Sequence, residues 1–140
     1  MIEKVLADAG PLAALVNPRD EWHDWARSEF GELVPPLLTC ESVLSEACFL
    51  ARRAHGGEDG ILRLAERGVI ELDFSLKEQF GEVAALMRQY ANVPMSLADA
   101  CLVRMSELVA ESVVMTLDRD FRVYRRHRRQ KIPLLIPSEL

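Results

Sequence analysis

The sequence has few of the features that mark membrane, secreted or disulfide-bonded proteins. Its apolar runs are far shorter than the roughly 20 residues that a membrane-spanning helix needs. Residues 1–4 contain neither a basic segment nor a long apolar core, so we expect no signal peptide and a cytoplasmic location. The three cysteines form no C-x-x-C pair and no even set, which indicates small buried side chains rather than a disulfide framework.

Motifs for nucleotide cofactors and for acyl transfer are also missing. The sequence contains no G-x-G-x-x-G loop, no P-loop and no Ser-His-Asp arrangement. Its 140 residues are 49% hydrophobic and 28% charged, close to globular averages, which excludes a disordered or low-complexity chain. The length suits one domain with a sizeable core, and we expect residues 1–140 to form a single domain.

Charge is unevenly distributed along the chain. Residues 119–140 carry seven Lys or Arg against two acidic side chains, whereas residues 1–118 carry ten basic and twenty acidic ones. A simple DNA-coating protein does not have this pattern. It fits an acidic site that lies next to a segment able to bind phosphate.

Short apolar runs alternate with helical patterns. Strands are predicted over 5–7, 35–38, 69–74, 112–117 and 132–136. Helices are predicted over 12–16, 20–32, 39–55, 60–67, 75–90 and 96–109. The third, fifth and sixth of these begin at residues that can cap a helix, Thr39, Ser75 and Ser96. Pro133 has no N–H for a sheet bond, so the last strand should be an edge strand. This order predicts a three-layer α/β/α fold around a mainly parallel sheet, whose ligands bind at the carboxyl ends of the strands.

Four acidic residues stand at unexpected positions. Asp8 and Asp118 follow predicted strands, whereas Glu46 and Asp99 lie on helix faces that their apolar neighbours predict to be buried. A buried carboxylate is costly unless it is paired or bound to a metal. Each also has an ordinary explanation. Asp8 and Asp118 can cap the turns that follow them, Asp99 can complete a capping box with Ser96, and Glu46 can lie at a solvent edge.

Taken together, these acids favour a cluster at one end of the sheet. Four carboxylates at one place repel one another, and a divalent cation relieves that repulsion. Mg²⁺ prefers hard oxygen ligands and often combines few carboxylates with waters and a substrate phosphate. Such a metal activates water and neutralises charge on a phosphodiester, so the cluster indicates a nuclease.

The same residues lie in motifs that resemble the PIN-domain family, in particular the VapC-like toxin ribonucleases of bacterial toxin–antitoxin pairs. Residues 8–15, D-A-G-P-L-A-A-L, resemble the opening motif of the family, and residues 116–121, T-L-D-R-D-F, resemble its closing motif. Between them, Glu46 lies in the helix after Thr39, and Asp99 lies in S-L-A-D-A. The match spans nearly the whole chain, with the segments in family order.

The resemblance implies a PIN-like nuclease domain with an RNA substrate, an antitoxin partner and a homodimeric state. It implies a catalytic quartet that binds Mg²⁺ or Mn²⁺ and consists of Asp8, Glu46, Asp99 and Asp118. It also implies that Thr116 supports the site by hydrogen bonding and that Asp120 is an accessory residue. Ala9 departs from the Ser or Thr of many relatives, so a hydroxyl near the metal is missing.

The basic segment that begins just after Asp118 is the candidate for holding RNA. Such a run is usually a solvated helix end, but its position beside the acidic motif favours phosphate binding, to which Arg is well suited. The RNA-binding candidates are Arg119, Arg122, Arg125 and Arg126.

Two other function classes stay open beside the metal-dependent endoribonuclease. A receiver-like phosphoacceptor module needs an acidic pair beside the first strand and a lysine after the last one. Here Asp8 stands alone and Lys131 precedes the last predicted strand. A catalytically silent PIN-like binding protein is disfavoured by the intact quartet.

Overall fold

The computed structural model describes residues 4–140; Met1–Glu3, which belong to the segment considered for a signal peptide, lie outside the described residues. The strands are β1 (Lys4–Ala7), β2 (Leu37–Thr39), β3 (Ile70–Leu72), β4 (Ser112–Met115), β5 (Arg125–Arg126), β6 (Gln130–Lys131) and β7 (Leu134–Leu135). The helices are α1 (Ala9–Val16), α2 (His23–Glu32), α3 (Glu41–Ala51), α4 (Gly57–Glu66), α5 (Leu76–Gln89) and α6 (Leu97–Leu108), followed after β4 by a 3-10 turn (Arg119–Arg122). Among residues 4–140, no helix has the length and apolar character needed to cross a membrane.

Five strands form one sheet in the order β3-β2-β1-β4-β7, and every neighbouring pair is parallel. The chain moves outward from β1 to β3 and then returns to the other side of β1 with β4, so the order reverses between β1 and β4. Six helices flank the sheet, with α1 packed against α2, α3 and α4, and α5 packed against α6. The predicted three-layer α/β/α fold with a parallel sheet is confirmed.

The central strands are short and almost wholly apolar because helices cover both faces of the sheet. Leu6 and Ala7 of β1 and Val114 and Met115 of β4 have no exposed surface. The predicted edge strand is also confirmed, since β7 pairs only with β4 in this sheet. The buried strands β1 and β4 therefore fix the positions of the residues that follow Ala7 and Met115.

Thr39 does not cap a helix, contrary to the expectation from sequence. It is the last residue of β2, where it pairs with Leu72 of β3, and its hydroxyl donates to the carbonyl of Ala7 over 2.9 Å. Cys40 is the residue before α3, which ends at Ala51 rather than near residue 55. Strand pairing therefore outweighs the capping preference of threonine at this position.

The basic segment is not a helix end. After the 3-10 turn it forms the β5–β6 hairpin, whose loop holds His127 and Arg128 at φ 49° and 72°. The His127 N–H donates to the Glu107 carboxylate over 2.7 Å, and the Arg126 guanidinium donates to the Ser106 carbonyl over 3.4 Å. These bonds fasten the hairpin to the last turn of α6.

Candidate active site

A cleft of about 500 Å³ opens at the carboxyl ends of β1 and β4, where the order of the strands reverses. Ligands of open α/β sheets bind at such a point. The charged side chains that line the cleft are Asp8, Glu46, Asp99, Asp118, Arg119 and Asp120. The structure therefore brings together all four acids of the expected quartet, the expected accessory acid and one of the four candidate arginines.

Asp8 is buried directly after β1, and each of its carboxylate oxygens accepts one hydrogen bond. Its Oδ1 accepts a hydrogen bond from the Ala9 N–H over 2.8 Å, which caps α1, and its Oδ2 accepts one from the Thr116 hydroxyl over 2.6 Å. The Thr116 oxygen in turn accepts from the Asp118 N–H over 3.0 Å. Thr116 thus connects the ends of β1 and β4 and holds two of the acids in register.

Burial raises the pKa of Asp8 from its ordinary value of 3.8 to about 7. The hydrogen bonds from Thr116 and Ala9 oppose this rise, and the negative charges of Asp99 and Glu46 add to it. Ionised Asp8 is therefore held at a cost in the metal-free protein. A positive charge in the cleft would favour the ionised form.

Asp99 is buried in the first turn of α6, as predicted from its apolar neighbours. The capping box is present: the Asp99 N–H donates to Ser96 Oγ over 3.0 Å, and the Ser96 N–H donates to Asp99 Oδ2 over 3.4 Å. Burial raises the pKa of Asp99, the hydrogen bond from Tyr124 lowers it, and the charge of Asp118 raises it further. Capping and membership of the acidic cluster are therefore compatible at this residue.

Tyr124 is a residue of the site that sequence reasoning missed. Its hydroxyl donates to Asp99 Oδ2 over 3.0 Å, and its ring has no exposed surface. Phe121 and Tyr90 pack edge-on against this ring, with centroids 5.1 and 5.2 Å away. Burial and the charge of Asp99 raise the pKa of Tyr124, so the hydroxyl stays protonated and remains a donor. The sequence offers little to identify Tyr124 as a site residue, since it shows only an aromatic residue within an arginine-rich segment.

Glu46 does not lie on the buried face of α3, so that expectation is wrong. The inward stripe of this helix consists of Val43, Ala47 and Ala51. Of the three apolar neighbours that indicate burial, Val43 is buried, but Phe49 and Leu50 are 60% and 48% exposed. Glu46 is itself exposed at the edge of the cleft. Partial burial still raises the pKa of Glu46, and the charges of Asp99 and Asp118 add to the rise.

Asp118 begins the 3-10 turn and caps it, because its Oδ1 accepts from the Asp120 N–H over 2.8 Å. Both side chains are half-buried. The segment before Asp118 approaches α1 closely at Gly10, where an added Cβ would lie 3.3 Å from the Cβ of Leu117. Glycine at this position lets the two walls of the cleft come together.

The donor set of the cleft suits a hard divalent cation. Within residues 4–140 the salt bridges are Arg63–Asp59 and Arg104–Glu107, so none of the acids in the cleft belongs to one. In the same part of the chain, no three Asp, Glu, His or Cys side chains are already arranged to hold a metal. Mg²⁺ is compatible with this geometry because it commonly takes one or two carboxylates and keeps several waters.

The four candidate arginines are not gathered at one place. Arg119 lines the cleft and Arg122 is exposed nearby in the same turn. The Arg125 guanidinium folds back and donates to three backbone carbonyls over 2.8, 3.1 and 3.1 Å. Arg126 bonds to the carbonyl of Ser106, near the other end of α6 from the acids. Arg119 and Arg122 are therefore exposed at or near the cleft, whereas Arg125 and Arg126 bond to the local backbone.

A pocket of about 500 Å³ elsewhere is lined in part by Cys40 and Cys101. All three cysteines are free; Cys40 and Cys101 are buried, as expected, and Cys48 is half-buried. This pocket and the cleft share no lining residue, so the two are separate.

Comparison with known proteins identifies the fold. No protein-family model and no curated protein sequence matches the chain. Among solved structures, the chain is similar to the crystal structure of Mycobacterium tuberculosis VapC20, a sarcin–ricin loop cleaving toxin, with a TM-score of 0.73 and 19% sequence identity. The match covers 86% of this chain and 94% of the other. The chain therefore has a VapC-like PIN fold, as the motifs implied.

Proposed function

We propose that this protein is a Mg²⁺- or Mn²⁺-dependent endoribonuclease that hydrolyses RNA phosphodiesters as the toxin of a toxin–antitoxin pair. The observation that carries the proposal is the cleft itself: four acids, none of which forms a salt bridge within residues 4–140, meet at the carboxyl ends of β1 and β4. The similarity to VapC20, a sarcin–ricin loop cleaving toxin, supports a cleavage reaction on the same fold.

In this proposal the residues that hold the cation are Asp8, Glu46, Asp99 and Asp118. The bound cation would supply an activated water and neutralise charge on the scissile phosphate. Each Asp8 oxygen accepts one hydrogen bond and keeps a second lone pair for a ligand. Thr116 and Tyr124 act as positioning residues, because their hydroxyls orient Asp8 and Asp99. Asp120 is an accessory acid at the rim.

Arg119 and Arg122 hold the RNA strand in this proposal, since both residues are exposed on the turn that follows Asp118. Arg125 and Arg126 contribute by fixing the hairpin through their backbone contacts. An antitoxin protein, a homodimer, a cytoplasmic site of action and a single nuclease domain over residues 1–140 complete the proposal. They rest on the family resemblance.

The alternative functions lack a supporting observation. A receiver-like phosphoacceptor needs a lysine at its acidic site, whereas the basic side chain that lines this cleft, among residues 4–140, is that of Arg119. A catalytically silent module would have the same fold but would not cleave RNA, so an RNA-cleavage assay distinguishes it from a nuclease.

The test is cleavage of labelled RNA by the purified protein with Mg²⁺, with Mn²⁺ and with excess chelator. Wild type should cleave only with metal, and Asp8→Asn and Glu46→Gln should lose at least about 100-fold in rate. Glu41→Gln is the matched control, because Glu41 is an exposed glutamate of the same helix as Glu46 and lies outside the cleft. Undiminished cleavage in chelator would overturn the metal mechanism.

A further inference from the structure

A second depression lies beside the acidic cleft, at the side of the sheet where β7 forms the edge. It encloses about 320 Å³. The residues that line it are Phe121, Arg122, Lys131, Ile132, Leu134 and Ile136, and we call it the edge groove. Four of these side chains are apolar and the other two are cationic.

One wall of the edge groove is joined to the cleft through the sheet. Leu134 pairs with Val114 of β4, and the Thr116 N–H donates to the Leu135 carbonyl over 3.1 Å. Because β7 runs parallel to β4, Ile136 follows at the same carboxyl edge as the acids. The side chain of Thr116 binds Asp8, so a single residue touches both the cleft and the strand that lines the groove.

The other wall is joined to the cleft through the 3-10 turn. The turn begins with Arg119 and Asp120 in the cleft and ends with Phe121 and Arg122 in the groove. The Arg122 guanidinium donates to the carbonyl of Leu140 over 2.9 Å, and Leu140 also lines the cleft. The cleft and the groove therefore lie at the two ends of one short turn, with the contact between Arg122 and Leu140 between them.

The chemistry of the groove selects an anionic ligand with an apolar part. Arg122 and Lys131 are exposed, and within residues 4–140 neither is in a salt bridge and no acidic side chain lines the groove. Phe121 and Ile132 are buried and form the floor, while Leu134 and Ile136 are half-buried and offer apolar surface. A nucleotide unit has both properties, since its phosphate is anionic and its base presents two flat apolar faces.

We propose that the edge groove binds the base of a nucleotide next to the scissile phosphate, with Arg122 and Lys131 contacting the adjoining backbone. A base can enter only if it is unstacked, so the substrate is RNA in a single-stranded or splayed segment rather than a regular duplex. This inference rests on the proposed nuclease function for the identity of its ligand. The binding itself requires no metal.

The test is the binding of a short fluorescent single-stranded RNA in chelator, measured by anisotropy, with a duplex of the same sequence for comparison. Ile136→Asp places a negative charge in the groove and should weaken binding of the single strand about 10-fold. Lys131→Gln alters an exposed side chain without risk to the core and should weaken it about 3-fold. The duplex should bind more weakly than the single strand to wild type.

Two matched controls exclude general effects of charge. Val123→Asp introduces the same charge at an apolar residue that is 52% exposed, in the same segment but outside the groove. Lys4→Gln removes a cation at the amino end of β1, at the opposite edge of the sheet from the cleft. Both should leave binding within about 2-fold of wild type, with thermal melting confirming that all four variants are folded.

The outcomes separate this inference from the proposed function. The edge groove is not a nucleotide site if wild type fails to bind the single-stranded RNA, or if the groove variants bind this RNA as tightly as the control variants do. This conclusion holds even if wild type cleaves RNA with Mg²⁺. If the groove variants alone lose binding and no protein cleaves RNA, the groove stands and the nuclease proposal fails. Stronger binding of the duplex would contradict the requirement for an unstacked base.

Discussion

Asp8→Asn should change the stability of the metal-free protein in opposite directions at high and low pH. The pKa of Asp8 is about 7 in the folded protein because the side chain is buried, against 3.8 for the ordinary carboxyl. Since the folded value is raised, the contribution of Asp8 to stability is fully present below pH 3.8 and is lost as the pH rises through 7. A difference of about 3 pKa units corresponds to roughly 4 kcal/mol.

The substitution also removes a hydrogen bond. The Asn amide group cannot accept from both the Ala9 N–H and the Thr116 hydroxyl, and an unsatisfied buried group costs about 1–3 kcal/mol. Above pH 8 the relief of the buried charge exceeds this cost, so the variant should be roughly 1–3 kcal/mol more stable than wild type. Near pH 4 only the cost remains, and the variant should be less stable by about 1–3 kcal/mol.

Urea denaturation in excess chelator, at pH 4 and at pH 8.5, measures both free energies of unfolding. Asp73→Asn is the matched control, since Asp73 is exposed and does not line the cleft; this variant should have the stability of wild type at both pH values. If the Asp8→Asn and wild-type stabilities differ by the same amount at the two pH values, Asp8 does not carry a strained charge and the electrostatic account of the cleft is wrong.

Two further predictions concern the support of the site and the path of the RNA. Thr116→Val should cost about 1–3 kcal/mol in unfolding free energy and weaken Mg²⁺ binding in a thermal-shift titration. Thr39→Val, which removes a buried hydroxyl outside the cleft, should cost stability without changing Mg²⁺ affinity; equal Mg²⁺ affinity in both variants would refute the positioning role. Replacing Arg119 and Arg122 by Gln should lower the slope of RNA affinity against salt by about 1–2, because fewer counterions are released. The same change at the exposed Arg128 and Arg129 should leave the slope unaltered, and a common decrease would indicate a diffuse basic surface.

The parts of the fold that depend on short-range pattern could be predicted from the sequence. Asp8 and Asp118 were placed correctly because each follows a short apolar strand, and parallel strands end at one edge. Asp99 was placed correctly because its neighbours one turn away are buried. The strand-end and inward positions of these three acids follow from local pattern, whereas their assignment to one metal-binding quartet is what the resemblance to the PIN-domain family implies.

The parts that depend on tertiary contacts could not be predicted. Phe49 and Leu50 are apolar but exposed, so their spacing indicated the wrong face for Glu46. Tyr124 donates a hydrogen bond to Asp99, which lies 25 residues earlier, and no local sequence pattern predicts such a contact. The β5–β6 hairpin was missed because its loop reaches positive φ without a glycine.

The central claim is that the acids of the cleft hold a divalent cation. The most direct measurement is an anomalous difference map from crystals of the protein soaked in Mn²⁺, since manganese scatters anomalously and carbon, nitrogen and oxygen contribute little. The account predicts a peak in the cleft, within ligand distance of Asp8 and of at least one more member of the quartet. Mn²⁺ bound only at other carboxylates, with the cleft empty at saturating metal, would contradict it.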